Sequence, residues 1–185
     1  MAEPMKYGQT EFEVHLPPEL IAAELEPNQV DLPRRTTAEH IRWALDHPID
    51  SAPLKSLVKA GDKVCVVISD VTRRWQAPDT YIPILIGELE AAGVRDEDIL
   101  ILSATGTHRR QTEEEHIGLV TKPVYDRIRV EDHVCTDQDN LAYVGTTSRG
   151  TPVWLDKRAL ACDKIILTGG VVYHFMAGCG GEKEA

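Results

Sequence analysis

The chain has 185 residues, 42% of them hydrophobic and 27% charged, which is the usage of a globular domain with a real core. A net charge of −10 argues against a broad nucleic-acid surface, because holding phosphates needs clustered Lys and Arg. No apolar run reaches the roughly 18–20 residues of a membrane span, and the amino terminus lacks a basic segment followed by an apolar one, so the expectation is a cytoplasmic protein with neither nucleic acid nor membrane as partner. The four cysteines, Cys65, Cys135, Cys162 and Cys179, form no CxxC pair and no disulfide framework.

In chain order, residues 11–16 alternate, with Phe12, Val14 and Leu16 against Glu11, Glu13 and His15, and predict a half-buried strand. A proline-broken acidic connection follows over 17–35. Thr36 or Thr37 caps a helix through His47, ended by Pro48, and 53–60 gives a further short helix closed by Gly61. Residues 64–69, VCVVIS, form a continuous apolar, mostly β-branched run of the kind covered on both faces of a sheet. Residues 81–92 place Ile82, Leu85, Ile86 and Leu89 at helical spacing before Gly93. A strand over 98–103, a helix from Thr112 with three glutamates in its first turn, a strand over 128–134, a short helix over 157–161 and a buried parallel strand over 164–168 complete the reading. Strands alternate with helices, which predicts an α/β fold: a mainly parallel sheet with helices on both faces, Rossmann-like. Cys65 and Cys162 fall in apolar segments as packing residues; Cys179, between glycines, is a candidate for function.

Three of these strands empty into polar or glycine-rich loops, and in an open α/β sheet ligands bind just beyond the carboxyl ends of the strands. The first loop, Asp70-Val71-Thr72-Arg73, offers Arg73 for a bidentate grip on a carboxylate or phosphate, with Asp70 to orient it or hold a ligand hydroxyl; the alternative is a surface ion pair. The second, Thr105-Gly106-Thr107-His108-Arg109, sets an imidazole at a strand end, suited to general acid/base work or else to capping the next helix, while Arg109 is placed to hold phosphate at that helix's start. The third runs over 164–183 and carries His174 between Gly169-Gly170 and Gly178, Gly180 and Gly181. A lone histidine is a poor metal site, since structural sites need about four ligands, and the glycine spacing is not the dinucleotide fingerprint. The remaining histidines, His15, His40, His47, His116 and His133, read as surface or supporting residues. On these grounds the three loops converge on one site, which serves either an enzyme or a non-catalytic α/β module that binds a nucleotide or phosphate.

Taken together, Asp-x-Thr-Arg at 70–73, Thr-Gly-Thr-His-Arg at 105–109, Gly-Thr-Thr-Ser-Arg-Gly-Thr-Pro-Val at 145–153, and His174 before Ala-Gly-x-Gly-Gly-x-Lys at 177–183 resemble the N-terminal domain of the nickel-dependent lactate racemase family. The resemblance runs from about residue 64 to residue 185. It implies that 1–185 form the family's catalytic and cofactor-binding α/β domain, with the family's C-terminal domain absent from the chain. It further implies a nickel-pincer nucleotide, loaded by cofactor-maturation proteins, and racemisation or epimerisation of a 2-hydroxy acid by abstraction and return of hydride. By motif position His174 would be the nickel ligand, Lys157 the tether, His108 the acid/base group, and Arg73 with Asp70 the substrate-engaging pair; Thr72, Gly106, Thr107, Arg109 and Gly170 would face the cofactor. Two departures stand out: Tyr173 where the family has proline before the histidine, and Arg74-Trp75-Gln76 where it has proline soon after Thr-Arg. The family's second catalytic histidine, upstream of its tethering lysine, finds no counterpart near Gly145-Thr146-Thr147-Ser148.

Overall fold

The alternation at the amino terminus makes a hairpin: β1 (Ala2–Tyr7) and β2 (Thr10–His15) pair antiparallel, with Tyr7 opposite Thr10 across a turn at Gly8. The structure is a computed structural model that describes residues 2–24, 28, 31, 33–174, 176 and 178–180. It divides into two compact units, Met1–Arg34, which holds this hairpin, and Arg35–Ala185. The expected half-buried strand is present but its apolar face is largely open, with Phe12 50% exposed and only Val14 partly covered. A two-stranded ribbon has too little area to bury a face.

The second unit opens with α1 (Thr37–Asp46), where Thr36 and Glu39 close a capping box, then α2 (Leu54–Leu57). β3 (Val64–Ser69) leads through a 3-10 turn, Val71–Gln76, into α3 (Pro78–Ala91). That helix starts three residues before the expected position, because Ala77 takes a left-handed conformation and Pro78 is pre-set for a first helical turn. β4 (Ile99–Ala104), α4 (Glu113–Val120), α5 (Lys122–Tyr125) and β5 (Arg129–Asp132) follow. Next come an antiparallel hairpin, β6 (Leu141–Thr146) and β7 (Pro152–Asp156), then α6 (Lys157–Leu160), β8 (Lys164–Leu167), and the short pair β9 (Val172–His174) and β10 (Gly178–Gly180). No helix among the described residues is long and apolar enough to cross a membrane.

The central sheet is parallel throughout, in the order β5-β4-β3-β8, with Val64 level with both Ile99 and Lys164. From β3 the chain winds outward to β4 and β5, then returns to add β8 on the other side. The order therefore reverses between β3 and β8, and the carboxyl edge at such a reversal is where open α/β sheets bind their ligands. Alternate residues of the strands supply two cores. Val64, Val66, Ile68, Ile99 and Ile101 pack with Ile82, Ile86 and Leu89 of α3 and Leu119 of α4. Cys65, Val67, Leu100 and Leu102 face the other way, against Ala159 of α6 and the partly buried Cys162. Helices thus lie on both faces, as the α/β reading expected, but the second face has only one short turn.

That asymmetry corrects one expectation. β8 is an edge strand, not a fully buried one: Ile166 packs into the larger core, while Ile165 and Leu167 stay 45% and 50% exposed on the thinly covered face. The start of α4 is more secure. Thr112 accepts the Glu115 backbone N–H at 3.2 Å and Glu115 accepts the Thr112 N–H at 2.9 Å. Thr112→Ala is expected to lower stability by about 1 kcal/mol, read as a lower urea midpoint at unchanged slope; an unmoved midpoint would show that the cap contributes nothing.

Candidate active site at the carboxyl edge of the sheet

β3 ends by delivering Asp70, almost fully buried, to the carboxyl edge. Its Oδ1 accepts the backbone N–H of Thr72 at 3.1 Å and the Thr72 hydroxyl at 2.5 Å, which starts the 3-10 turn. Its Oδ2 is bonded to His108 Nδ1. Burial pushes the Asp70 carboxyl up, but the bonds from Thr72 and His108 overcome it and hold the group below the usual carboxylate range. His108 sits on a tight turn whose N–H returns to the Thr105 carbonyl at 2.9 Å, and Gly106 supplies the positive φ, +56°, that the turn needs. The ring is half exposed. With Nδ1 committed to Asp70, Nε2 is the nitrogen that would meet a ligand proton.

The pair differs from what the two loops suggested separately. Asp70 orients His108 rather than Arg73, and His108 neither caps the following helix nor bonds a carbonyl through its ring. Arg73 is exposed, with Nη1 3.3 Å from Thr72 Oγ1, so it lies beside the pair rather than in an ion pair with Asp70. Arg109, expected to hold a phosphate, is occupied: it forms a forked pair with Glu115 at 2.8 and 2.7 Å, and that pairing holds Glu115 down at about 2. Thr107 is exposed on the same turn.

The third loop meets the first from the other side. A Cβ on Gly170 would lie 3.0 Å from Gln76 Cγ and 3.3 Å from Trp75 Cη2, so the chain leaving β8 rests closely on the 3-10 turn and a larger residue would push those side chains aside. Thr168 bridges the same junction, donating to the Val67 carbonyl at 2.9 Å and lying 3.0 Å from the Tyr81 hydroxyl. Gln76 Oε1 is buried there without a hydrogen-bond partner among the described residues. The loop after β3 thus touches both of the others, through Asp70–His108 and through Trp75 and Gln76 against Gly170. His174 lies at the end of β9, exposed, with Nδ1 accepting the Met176 N–H at 3.2 Å. The glycine motif at 177–183 lies outside the described residues except for the backbone of 178–180, and the side chain of Cys179 lies outside them too.

Lys157 is placed elsewhere. Its Nζ donates to the Asp139 carbonyl at 2.8 Å, in the segment that leaves β5. β5 stands three strand spacings from β8, roughly 14 Å. No hydrogen bond among the described residues joins Lys157 to Asp70 or His108.

Gln111, Asp132, Asp156 and Arg158 had no expectation attached, while His116 and His133 were expected as surface or supporting residues and take supporting places. Gln111 bonds to Val71, Ser103 and Asp132, and the buried His116 shares Asp132 at 2.8 Å. A second cluster joins His133 to Asp156 at 3.0 Å and Asp156 to Arg158 at 2.6 and 2.9 Å, with Arg158 also paired to Glu131. The one signal available was position: Asp132 and His133 end a strand, as Asp70 and His108 follow theirs.

A parallel sheet with helices on both faces, and a buried aspartate bonded to a half-exposed histidine beside its point of strand reversal, defines an α/β domain with a candidate site at the carboxyl edge. The chain belongs to the lactate racemase N-terminal domain family, whose model matches residues 7–185. It is 31% identical over 148 residues to the lactate racemase of Lactiplantibacillus plantarum, covering 80% of this chain and 34% of that protein. To the lactate racemase of Thermoanaerobacterium thermosaccharolyticum it is 26% identical over 180 residues, covering 97% and 42%. The lactate racemase apoprotein structure from the latter organism superposes with a TM-score of 0.79 at 26% identity, over 97% of this chain and 41% of that one. A crystal structure of a Thermotoga maritima protein gives 0.63 at 25% identity, over 77% and 36%. The chain thus spans well under half the length of these relatives.

Proposed function

We propose that this chain supplies the proton-handling and ligand-holding domain of a 2-hydroxy acid racemase or epimerase. The observation that carries the reading is the Asp70–His108 pair at the carboxyl end of β3, the strand beside which the sheet order reverses. A 2-hydroxy acid must lose both its α-hydrogen and its hydroxyl proton to become the planar 2-keto acid that can be restored from either face. His108 Nε2 is suited to take the hydroxyl proton and return it, because Asp70 holds Nδ1 and so fixes the ring and its free nitrogen. Arg73, exposed beside the pair, is the group suited to clamp the substrate carboxylate while the planar species turns or waits.

The cofactor we assign is a nickel-pincer nucleotide, which when bound supplies an acceptor for the α-hydrogen as hydride. The residues present fit such a group. The β8 loop brings an imidazole at His174 and a glycine, Gly170, that rests on the turn after β3, and that turn brings the acceptor Gln76 Oε1, unpartnered among the described residues. Thr72, Gly106 and Thr107 line the neighbouring turns. Arg109 would join them only by leaving Glu115.

Motif order makes His174 the nickel ligand and Lys157 the tether. Two observations favour a second reading of each. Because β4 and β8 lie on opposite sides of β3, His108 and His174 belong to loops that flank the Asp70 end of β3, an arrangement suited to an imidazole on either face of a planar substrate. Lys157 is engaged on the β5 side, whereas Lys183 stands in the same glycine-rich run as His174.

One experiment tests the function and separates these assignments: intact-mass and metal analysis of protein co-produced with cofactor-maturation proteins, followed by peptide mapping. A covalent adduct with about one nickel per chain supports the reading, and its position on Lys157 or Lys183 names the tether. His174→Ala is expected to lose the nickel; retention of metal with loss of turnover would make His174 the second proton acceptor. Unmodified, metal-free protein from a full-length version would favour a non-catalytic nucleotide- or phosphate-binding module.

A further inference from the structure

We propose that Gln111 is the positioning residue for the Asp70–His108 pair, setting the two loops against each other through one side-chain amide that ties β3, β4 and β5 together. The inference rests on the reading of that pair as the proton-handling group.

Gln111 follows His108 by three residues and precedes the cap of α4. Its Oε1 accepts the backbone N–H of Val71, the residue after Asp70, at 2.7 Å. Its Nε2 donates to Ser103 Oγ at 2.8 Å and to Asp132 Oδ1 at 2.9 Å. Its own backbone N–H donates to Asp132 Oδ2 at 2.8 Å. The orientation of the amide is set by chemistry, since the Val71 N–H can only donate and the Asp132 carboxylate can only accept. Both amide donors and the oxygen are therefore used, each on a different strand end.

The far side of this bridge is rigid. Ser103 is fully buried in β4, Asp132 closes β5 and is almost as buried, and His116 Nε2 lies 2.8 Å from Asp132 Oδ1 on the inner face of α4. Buried polar groups this completely paired specify one arrangement, and removing one member leaves the others unsatisfied. Gln111 itself touches neither Asp70 nor His108 among its hydrogen-bond partners. It acts through the backbone: one end holds the residue next to Asp70, and the other anchors the segment that carries His108. A shift of that backbone changes the contact between Asp70 Oδ2 and His108 Nδ1 without changing either residue.

The test is the titration of the Asp70 carboxyl, followed by carbon-13 NMR, in three forms of the protein. Gln111→Met keeps the volume and removes all three side-chain bonds, and is expected to move the Asp70 midpoint upward as the bond from His108 weakens. The double variant Gln111→Glu with Asp132→Asn preserves the local charge and reverses the donor and acceptor. The carboxylate at 111 still accepts the Val71 N–H and takes a hydrogen bond from the amide at 132, whose oxygen accepts the backbone N–H of 111. It is expected to return the midpoint to that of the unsubstituted protein. If Gln111→Met does not fold, Gln111→Asn, which keeps the amide but withdraws it by one methylene, gives the same readout.

In the cofactor-loaded enzyme the same substitution is expected to lower kcat by about tenfold or more with KM retained, and the double variant to restore it. An Asp70 midpoint that stays fixed in a folded Gln111 variant, or a double variant that stays at the shifted value, overturns the inference. A midpoint that follows Gln111 while His108→Ala leaves turnover intact upholds the positioning and retires the functional reading instead.

Discussion

Replacing Asp70 by asparagine lowers turnover of the cofactor-loaded protein by about 100-fold or more, with nickel content and thermal midpoint close to those of the parent. Asparagine fills the same space, so the turn after β3 survives. What it loses is the carboxylate charge beside the ring and the acceptor that fixes which ring nitrogen carries the proton. Asp70 is held below the usual carboxylate range by Thr72 and His108 against the upward push of burial, so it remains ionised throughout the neutral range. His108→Ala removes the proton acceptor itself and falls at least as far. Because the two act as one unit, the double variant is expected to be scarcely slower than His108→Ala alone. Unchanged turnover in Asp70→Asn would remove the pair from the mechanism, and multiplicative losses in the double variant would show that the residues work separately.

The second large effect is on stability. Arg158→Met is expected to cost about 3 kcal/mol at pH 7. Arg158 is the cation that closes the second polar cluster, bonded to both oxygens of the almost fully buried Asp156, to Glu131 and to the Asp132 carbonyl at 2.9 Å. Removing it takes a cation from Asp156, which keeps His133, and one of two from Glu131, which keeps Arg129, and leaves both carboxylates where water reaches them poorly. Burial opposes ionisation of Asp156, yet the bonds from Arg158 and His133 hold it down at about 2, below the roughly 3.9 of an unfolded aspartate. A lowered folded value means stability that is present above the unfolded value and is lost as pH falls through the folded one. The window here is about pH 4 to 2, and the contribution of Asp156 is on the order of 2 kcal/mol. Urea unfolding at pH 7 and at pH 3 therefore gives a sharp comparison: the parent weakens in acid, and the gap between parent and Arg158→Met narrows as the two carboxylates protonate. Equal stability at pH 7 would show that the ion pair only offsets its own desolvation.

Much of the fold was legible because local signals agreed with one another. The VCVVIS and ILILS runs are apolar without alternation, as strands sandwiched between two layers must be, and both became central strands. A capping threonine at 36 or 37, and Thr112 ahead of three glutamates, marked helix starts, and in the structure Thr36 and Thr112 are the caps. The β6–β7 hairpin was missed for a physical reason. It is exposed on both sides, with Tyr143, Val144, Trp154 and Leu155 all 44% or more open, and a bulge between Tyr143 and Gly145 breaks its period of two. β8 read as buried because Ile165, Ile166 and Leu167 are consecutive and apolar, while an edge position depends on strand order, which no single segment carries.

The site was legible in its parts and not in its connections. The three loops were identifiable because each follows an apolar run. That Asp70 would choose His108 over Arg73 is a contact across 38 residues, invisible to any local pattern. Arg109 looked free for an anion because its partner Glu115 lies a turn into the next helix and doubles as a capping residue.

The return of β8 to the side of β3 also governs when that side of the site can come into being. β3 finds β4 a short helix later, whereas its pairing with β8 joins segments about a hundred residues apart, sealed at the near end by the Lys63 N–H on Asp163 at 2.8 Å. Loop closure over such a span is slow compared with forming neighbouring contacts. As the chain leaves the ribosome, β3, β4 and β5 and the helices between them are made while β8 is still unsynthesised. The Asp70–His108 contact is therefore available early, and the β8 side that would confine a ligand beside it is assembled only afterwards.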